Sequence, residues 1–269
     1  VHCIELGLKS DADMMQAIRQ SSRALANLPD WALAEVDRFD PDREALVFEN
    51  ALSQGEPLAG RPVFGPRHPD WQALEDKMII DALWDDAGIE RAPSAILPAD
   101  FEALWSAHER LDSGKGTVWV GDNREGWHGG AKLLRWVRSS TEGQAAHDYL
   151  SSQCDKVRVM PFLEGIPCSI HGWVFPDAVI GFRPCEMLVF RIPGSDRLSY
   201  AGAATAWVPS APVQEAMENA VVRVGEHIRE RVGYRGSFTL DGVATSEGFF
   251  PTELNPRFGG ALNRMSGSM

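Results

Sequence analysis

The chain has 269 residues, a formal net charge of −12 at pH 7 and 44% hydrophobic residues. This length allows one substantial core or two smaller ones, and the composition is that of an ordinary globular protein rather than a disordered one. The negative charge argues against a nucleic-acid partner, because phosphates attract an excess of Lys and Arg. No apolar run approaches the roughly 20 residues that cross a bilayer, so no membrane partner is expected.

The four cysteines, Cys3, Cys154, Cys168 and Cys185, show neither a Cys-x-x-Cys spacing nor a histidine at zinc-finger distance. We therefore expect reduced thiols, as in cytoplasmic proteins. The sequence begins at Val1 without a secretory signal, which favours a cytoplasmic location. The abrupt start and the ending Met-Ser-Gly-Ser-Met lead us to expect that the natural chain extends beyond both ends.

The first 70 residues predict a small α/β domain. A short strand at 3–8, a helix from a cap at Asp11 or Asp13 to about 28, and an extended segment at 45–48 follow one another. No residue of this part is predicted to be catalytic.

A connecting segment is predicted at 71–97. Asp70 is a suitable N-cap for a helix that runs to Gly88, and glycine is the residue that most often follows a helix end. Lys77 lies within this predicted helix. A strand is predicted at 95–98.

Residues 98–162 predict an independent α+β unit. Its elements are a helix from Phe101 to Leu111, strands at 117–120, 131–138 and 157–163, a helix at 141–153, and a glycine-rich loop at 121–130. Such a loop leaves backbone N–H groups that can face anionic oxygens. The alternative is a flexible hairpin that binds nothing.

Residues 163–269 predict a C-terminal subdomain of strands and one long helix. Strand-rich stretches at 169–175 and 178–190 precede a helix from 211 to about 232. The apolar residues of that helix fall on one stripe, which predicts that it packs against the sheet.

Two antiparallel strands are then predicted around a turn at 246–248, because period-2 apolar runs flank it. Glu253 and Asn255 are two residues apart and face the same way, and Asp241 can join them from the neighbouring strand. Two carboxylates and an amide are the oxygen ligands that Mg²⁺ prefers. Arg257 adds a positive fork for a phosphate or carboxylate. The alternative is a hairpin whose carboxylates are merely solvated.

The run from Glu253 to Gly260, Glu-Leu-Asn-Pro-Arg-Phe-Gly-Gly, with Asp241 twelve residues upstream, resembles the metal-binding strand pair of the ATP-grasp superfamily. That superfamily includes biotin carboxylase and D-alanine–D-alanine ligase. The resemblance implies an α/β (α+β) protein with the ATP-grasp fold: a partial N-terminal α/β domain, a mobile lid subdomain over 98–162 and a C-terminal metal-binding sheet over 163–269. It implies ATP and Mg²⁺ as cofactors, with Mn²⁺ as a substitute, and Asp241, Glu253 and Asn255 as metal ligands.

The resemblance extends to the phosphate contacts. Asp76-Lys77, upstream of a Gly/Pro-ended helix, looks like the segment whose lysine contacts ATP phosphate, and Gly129 and Gly130 imply a cover over the phosphates. Val118 lies in the strand before that loop and is assigned to the nucleotide site. This strand lacks the lysine that many relatives carry there. The residues considered as substitutes are Arg124, Lys132 and Arg135.

The stretch around Met160 resembles the hinge between lid and body. The resemblance implies that the backbone near Phe162 and Leu163 pairs with the adenine edge and that Glu164 holds the ribose hydroxyls. Met160 and Leu163 would form apolar walls, which suit a flat purine.

The function implied is an ATP-dependent ligase that activates a carboxylate as an acyl phosphate and joins it to an amine. Arg257, Asn255 and Arg235 are its predicted catalytic residues. The partners expected are a small carboxylic acid and an amine, and a homodimer is the commonest assembly. Two alternatives stay open: a nucleotide-binding sensor or scaffold without turnover, and a phosphotransferase acting on a hydroxyl.

Overall fold

The computed structural model describes residues 20–48 except 22, 57–64, 69–124 and 131–259. These residues fall into two compact units, Val1–Pro69 and Asp70–Met269. None of the described helices combines the length and apolarity needed to cross a bilayer.

The first unit contains helix α1 (Asp30–Phe39) and two short parallel strands, β1 (Val47–Phe48) and β2 (Val63–Phe64). Arg61 is only 1% exposed and donates hydrogen bonds to Asp40 at 2.7 Å and Asp37 at 3.0 Å. This pairing compensates the burial of its charge. The predicted strand at 3–8 and the predicted cap of the first helix lie outside the described residues, while 23–26 are helical as predicted.

The predicted single helix from Asp70 to Gly88 is wrong. The segment consists of helix α2 (Pro69–Gln72), a 3-10 turn (Ala73–Glu75) and helix α3 (Ile80–Asp86). The break falls at Asp76, whose backbone is extended and whose Oδ1 accepts a hydrogen bond from the Met78 N–H at 2.9 Å. A short acidic side chain competes with the helix for backbone donors in this way. Gly88 ends α3 with a φ of 64°, as predicted.

The second unit contains, first along the chain, a four-stranded antiparallel sheet covered by two helices. Its elements are β3 (Ala95–Pro98), α4 (Phe101–Leu111), β4 (Thr117–Gly121), β5 (Leu134–Val137), α5 (Ser140–Ser151) and β6 (Lys156–Pro161), with strand order β3-β6-β4-β5. Asp100 and Ser139 cap the two helices through their side chains. We call the four-stranded sheet β3-β6-β4-β5 the small sheet. Its order of elements agrees with the sequence prediction, although β5 is shorter than the predicted 131–138.

The large sheet follows. Its elements are β7 (Ile166–Val174), β8 (Val179–Gly181), β9 (Cys185–Arg191), β10 (Leu198–Ala204), α6 (Ala211–Val232), β11 (Gly236–Ala244) and β12 (Phe249–Asn255), with strand order β10-β9-β7-β11-β12 and β8 paired to β7. The apolar stripe of α6 packs on one face, where Met217, Val221 and Ile228 meet Ile170 and Phe238. The alternating residues of β7, β11 and β12 therefore present their polar side chains on the opposite face.

A buried ion pair joins the small sheet to α3. Arg158 of β6 is 2% exposed and donates from Nη2 and Nε to Asp81 at 2.7 and 3.0 Å. Ser94 donates a further hydrogen bond to Asp81 at 2.6 Å. Because α3 belongs to the core beneath the large sheet, this pair fixes the small sheet beside it.

Asp81→Asn should lower the free energy of unfolding by about 3 kcal/mol, because it leaves the Arg158 charge buried without its counter-ion. Urea titration followed by circular dichroism measures this change. Asp86→Asn is the matched control, since Asp86 pairs with Arg231 in an exposed contact at 3.3 Å, and it should cost less than about 0.5 kcal/mol. Equal effects of the two substitutions would contradict a special role for the buried pair.

Candidate functional site

The predicted meeting of side chains on the β11–β12 pair is confirmed. Asp241 lies directly opposite Glu253, and Thr239 lies opposite Asn255. A register shift follows immediately after Asp241, at Gly242. Such a bulge disrupts pairing locally and aims side chains at a site.

A chain of hydrogen bonds orients these groups. Ser169 of β7 donates its hydroxyl to Asp241, and the Asn255 amide nitrogen donates to the other Asp241 oxygen at 2.8 Å. The Asn255 amide oxygen accepts from Arg257 Nη2 at 2.7 Å. The amide therefore presents its nitrogen to the carboxylate and its oxygen to the guanidinium, the complementary arrangement for both ends.

Two charged residues of the segment before α3 reach the same strand pair. Lys77 Nζ lies 3.0 Å from Glu253 Oε1, and Glu75 Oε1 accepts from Arg257 Nε at 2.9 Å. The Glu75 side chain is 3% exposed, and the Arg257 guanidinium offsets the cost of burying its charge. Sequence reasoning missed Glu75, because only the unpredicted break at Asp76 turns it and Lys77 toward the strands.

The two facing carboxylates carry an electrostatic cost. Burial, with the nearby charge of Glu253, raises the pKa of Asp241 to about 6, against the opposing effects of the Ser169 hydrogen bond and the charges of Arg257 and Lys77. Like charges held on adjacent strands favour protonation of one of them. A cation placed between them would relieve the repulsion.

Other polar residues extend this face toward β7. His171 lies opposite Thr239, and Ser237 follows on the same face of β11. All three are buried, and burial lowers the pKa of His171 to about 4. Gly259 lies so close that a Cβ there would come within 2.4 Å of His171 Nε2 and 2.5 Å of Thr239 Oγ1, so only glycine fits without displacement.

The predicted nucleotide slot is found in part. Val118 pairs with both Met160 and Trp136 across the small sheet, so these side chains share one face. Phe162 stacks on Trp136 with ring centroids 4.6 Å apart. Leu163 lies two residues after the end of β6 and is half-buried.

At the predicted hinge, Phe162 and Glu164 make contacts within the protein. The Phe162 N–H donates to the Gly116 carbonyl at 2.9 Å, so this one donor of the predicted adenine-contacting segment is already engaged. The reason is that Phe162 continues the β4–β6 ladder for one residue beyond the end of β6 at Pro161. Glu164 is exposed and pairs with Lys115 at 3.3 Å.

The glycine loop is described only to residue 124, so Gly129 and Gly130 lie outside the described residues. Of the three considered substitutes for the missing lysine, Arg124 pairs with Asp155 at 3.0 Å, and Arg135 covers the Tyr149 ring at 3.9 Å. Lys132 is exposed. The two arginines are thus occupied by structural contacts.

Arg235 is not brought to the group of Asp241. It is exposed, and it donates to the carbonyl of its neighbour Tyr234 at 2.6 Å. Asp241 lies six positions after Arg235 along an extended backbone, on the order of 20 Å at the usual rise per residue. Its predicted catalytic role finds no support in this placement.

The side-chain oxygens of Asp241, Glu253 and Asn255 are chemically suitable ligands for a divalent cation such as Mg²⁺. Asp241 and Glu253 offer adjacent carboxylates, and oxygen ligands are the preference of such ions. Across the described part of the chain no three His, Cys, Asp or Glu side chains form a metal-sized group, so the two carboxylates would be joined by an amide, water or phosphate oxygens. The Asn255 oxygen lies against Arg257, so its coordination requires that guanidinium to share it.

No protein-family model matches the chain, and no curated protein matches it significantly. Solved structures do resemble it. The D-Ala:D-Ser ligase VanG from Enterococcus faecalis is 18% identical with a TM-score of 0.58, covering 74% of this chain and 57% of that one. The ADP complex of purK, N5-carboxyaminoimidazole ribonucleotide synthetase, is 11% identical with a TM-score of 0.57, covering 93% and 58%.

A third resemblance is to the biotin carboxylase domain of 2-oxoglutarate carboxylase from Hydrogenobacter thermophilus, in complex with MgADP, ADP and bicarbonate. It is 17% identical with a TM-score of 0.55, covering 75% of this chain and 44% of that one. At such identities the likeness shows the fold, and the chain has the predicted ATP-grasp fold. The chain spans about half the length of these structures.

Asp241→Asn should raise the free energy of unfolding at pH 8 by about 1–3 kcal/mol, because the raised pKa means that the ionised carboxylate destabilises the folded state. The folded state binds this proton more tightly than the unfolded state. The wild type therefore gains relative stability as the pH falls through 6, and the advantage of the variant should vanish near pH 4.

Chemical denaturation at a series of pH values measures this difference. Asp177→Asn, in an exposed turn, is the control and should change stability by less than about 0.5 kcal/mol at every pH. A variant that is less stable than the wild type at pH 8 would contradict the electrostatic cost assigned to Asp241.

Proposed function

We propose that the protein is an ATP-dependent ligase that activates a carboxylate as an acyl phosphate and joins it to an amine, releasing ADP and phosphate. The observation that carries this proposal is the facing pair of Asp241 and Glu253, continued by Asn255 and Arg257 on one sheet face. The fold adds support, because the similar structures are described as ligases or as complexes with ADP and MgADP.

Asp241 and Glu253 would hold Mg²⁺, with Mn²⁺ as a substitute, and Asn255 would complete the set from its amide oxygen. The bound ion would supply charge neutralisation at the nucleotide phosphates. Lys77, already beside Glu253, is within reach of the same phosphates.

The nucleotide base would lie against the face of the small sheet formed by Val118 and Met160, with Leu163 at its edge. Because the Phe162 N–H is occupied, the Leu163 N–H would be the donor to the adenine edge in this segment. Glu164 would turn from Lys115 to the ribose, and Gly129 and Gly130 would cover the phosphates.

In the first step, a carboxylate oxygen of the acid forms a bond to the γ-phosphorus while the bond to the β–γ bridging oxygen breaks, so that ADP leaves. In the second step, the amine forms a bond to the acyl carbon, phosphate leaves and the amine proton is lost. Arg257 and the nearby Gly259 backbone would stabilise the oxyanion. The small sheet would act as the lid that excludes water from the acyl phosphate.

The sensor or scaffold alternative is favoured by one observation, since β4 carries no lysine and the two nearby arginines are engaged elsewhere. Transfer to a hydroxyl would use the same groups as the ligase. The dependence of ADP release on an added amine separates these three functions. A homodimer and a cytoplasmic location stay predictions.

Glu253→Gln should lower ADP release by at least about 100-fold, since it removes a charged ligand from the proposed metal site. The measurement is coupled ADP release over a panel of amino acids and small carboxylic acids, each with and without an amine. Glu247→Gln is the matched control, because Glu247 lies exposed in the turn of the same strand pair. Near-wild-type turnover in Glu253→Gln would contradict the assignment.

A further inference from the structure

Lys77 occupies a position beside one of the proposed metal ligands. Its ammonium lies 3.0 Å from Glu253 Oε1, and its side chain is 16% exposed against 34% for Glu253. An ammonium at this distance is strongly attracted to the carboxylate. Glu253 thus has a cationic partner before any ligand binds.

The position of Lys77 is fixed from both sides. On one side, the Glu75 carboxylate is held against Arg257, which continues from β12. On the other, the Asp76 side chain caps the Met78 N–H, and α3 is anchored in the core through Ile80. The backbone therefore delivers Lys77 to Glu253 with little freedom, while the four-carbon stem keeps the ammonium itself movable.

We propose that Lys77 is an exchangeable counter-ion of Glu253, which it leaves for a nucleotide phosphate when ATP binds. This inference rests on the proposed function. It adds that Glu253 is blocked by the protein's own cation in the nucleotide-free state. Nucleotide and divalent cation are then coupled through a single lysine, because each favours the state in which Lys77 has left Glu253.

Two consequences are expected, and the first distinguishes this arrangement from a lysine that only contacts phosphate. Removal of the ammonium should improve binding of a divalent cation to the nucleotide-free protein, and it should weaken nucleotide binding. A partly exposed ion pair of this kind changes an equilibrium about fivefold. Lys77→Met should therefore bind Mn²⁺ about fivefold more tightly than the wild type without nucleotide.

The test is a titration of the full chain with Mn²⁺ alone, in which electron paramagnetic resonance counts the free ion. Lys77→Arg keeps the positive charge and should retain wild-type Mn²⁺ affinity. Lys115→Met removes the ammonium of the exposed Lys115–Glu164 pair and should also leave the affinity unchanged. The melting temperature of each protein with and without MgATP is recorded in parallel.

The outcomes separate the inference from the function beneath it. Tighter Mn²⁺ binding by Lys77→Met alone, with a reduced MgATP shift, supports the exchange. Unchanged or weaker Mn²⁺ binding by Lys77→Met, while the wild type is still stabilised by MgATP, overturns the exchange and leaves the proposed function standing. If the wild type shows neither stabilisation by MgATP nor binding of Mn²⁺, both the exchange and the proposed function are overturned.

Discussion

Two carboxylates held opposite one another on adjacent strands are the constraint around which the rest of the site is arranged. Asp241 and Glu253 would repel each other less in water, but the β11–β12 register fixes them directly opposite one another. The surrounding groups stabilise the two negative charges. Ser169 and Asn255 donate to Asp241, and Lys77 lies against Glu253.

The stability that maintains this arrangement comes from the other face of the same strands. Phe238 and Leu240 alternate with the site residues of β11 and pack against α6, together with Leu254 of β12. Period-2 alternation thus places a hydrophobic core directly behind a charged site. A core of this kind can support local electrostatic cost where function requires it. The ion pair between Arg158 and Asp81 connects the small sheet to this base.

The parts that the sequence predicts well are those determined by local pattern. The β11–β12 pair follows from alternation around one turn, and the apolar stripe of α6 follows from its helical period. These patterns were sufficient to bring Asp241, Glu253, Asn255 and Arg257 together, because residues that share a strand face need no long-range information.

The parts that sequence reasoning missed depend on tertiary contacts. The helix predicted through Lys77 breaks because Asp76 caps its own backbone, and this break alone brings Glu75 to Arg257. The Phe162 N–H is taken by Gly116, whose position depends on the pairing of β4 with β6. Arg235 is near Asp241 in sequence, but an extended strand carries it away. None of these outcomes has a signal in residue spacing.

The most direct test of the central arrangement is anomalous diffraction from crystals of the protein grown with Mn²⁺ and ADP. The account predicts a manganese peak between the carboxylates of Asp241 and Glu253, with Lys77 moved from Glu253 to a phosphate oxygen. ADP density without a metal peak at these carboxylates, with Lys77 still bound to Glu253, would contradict it.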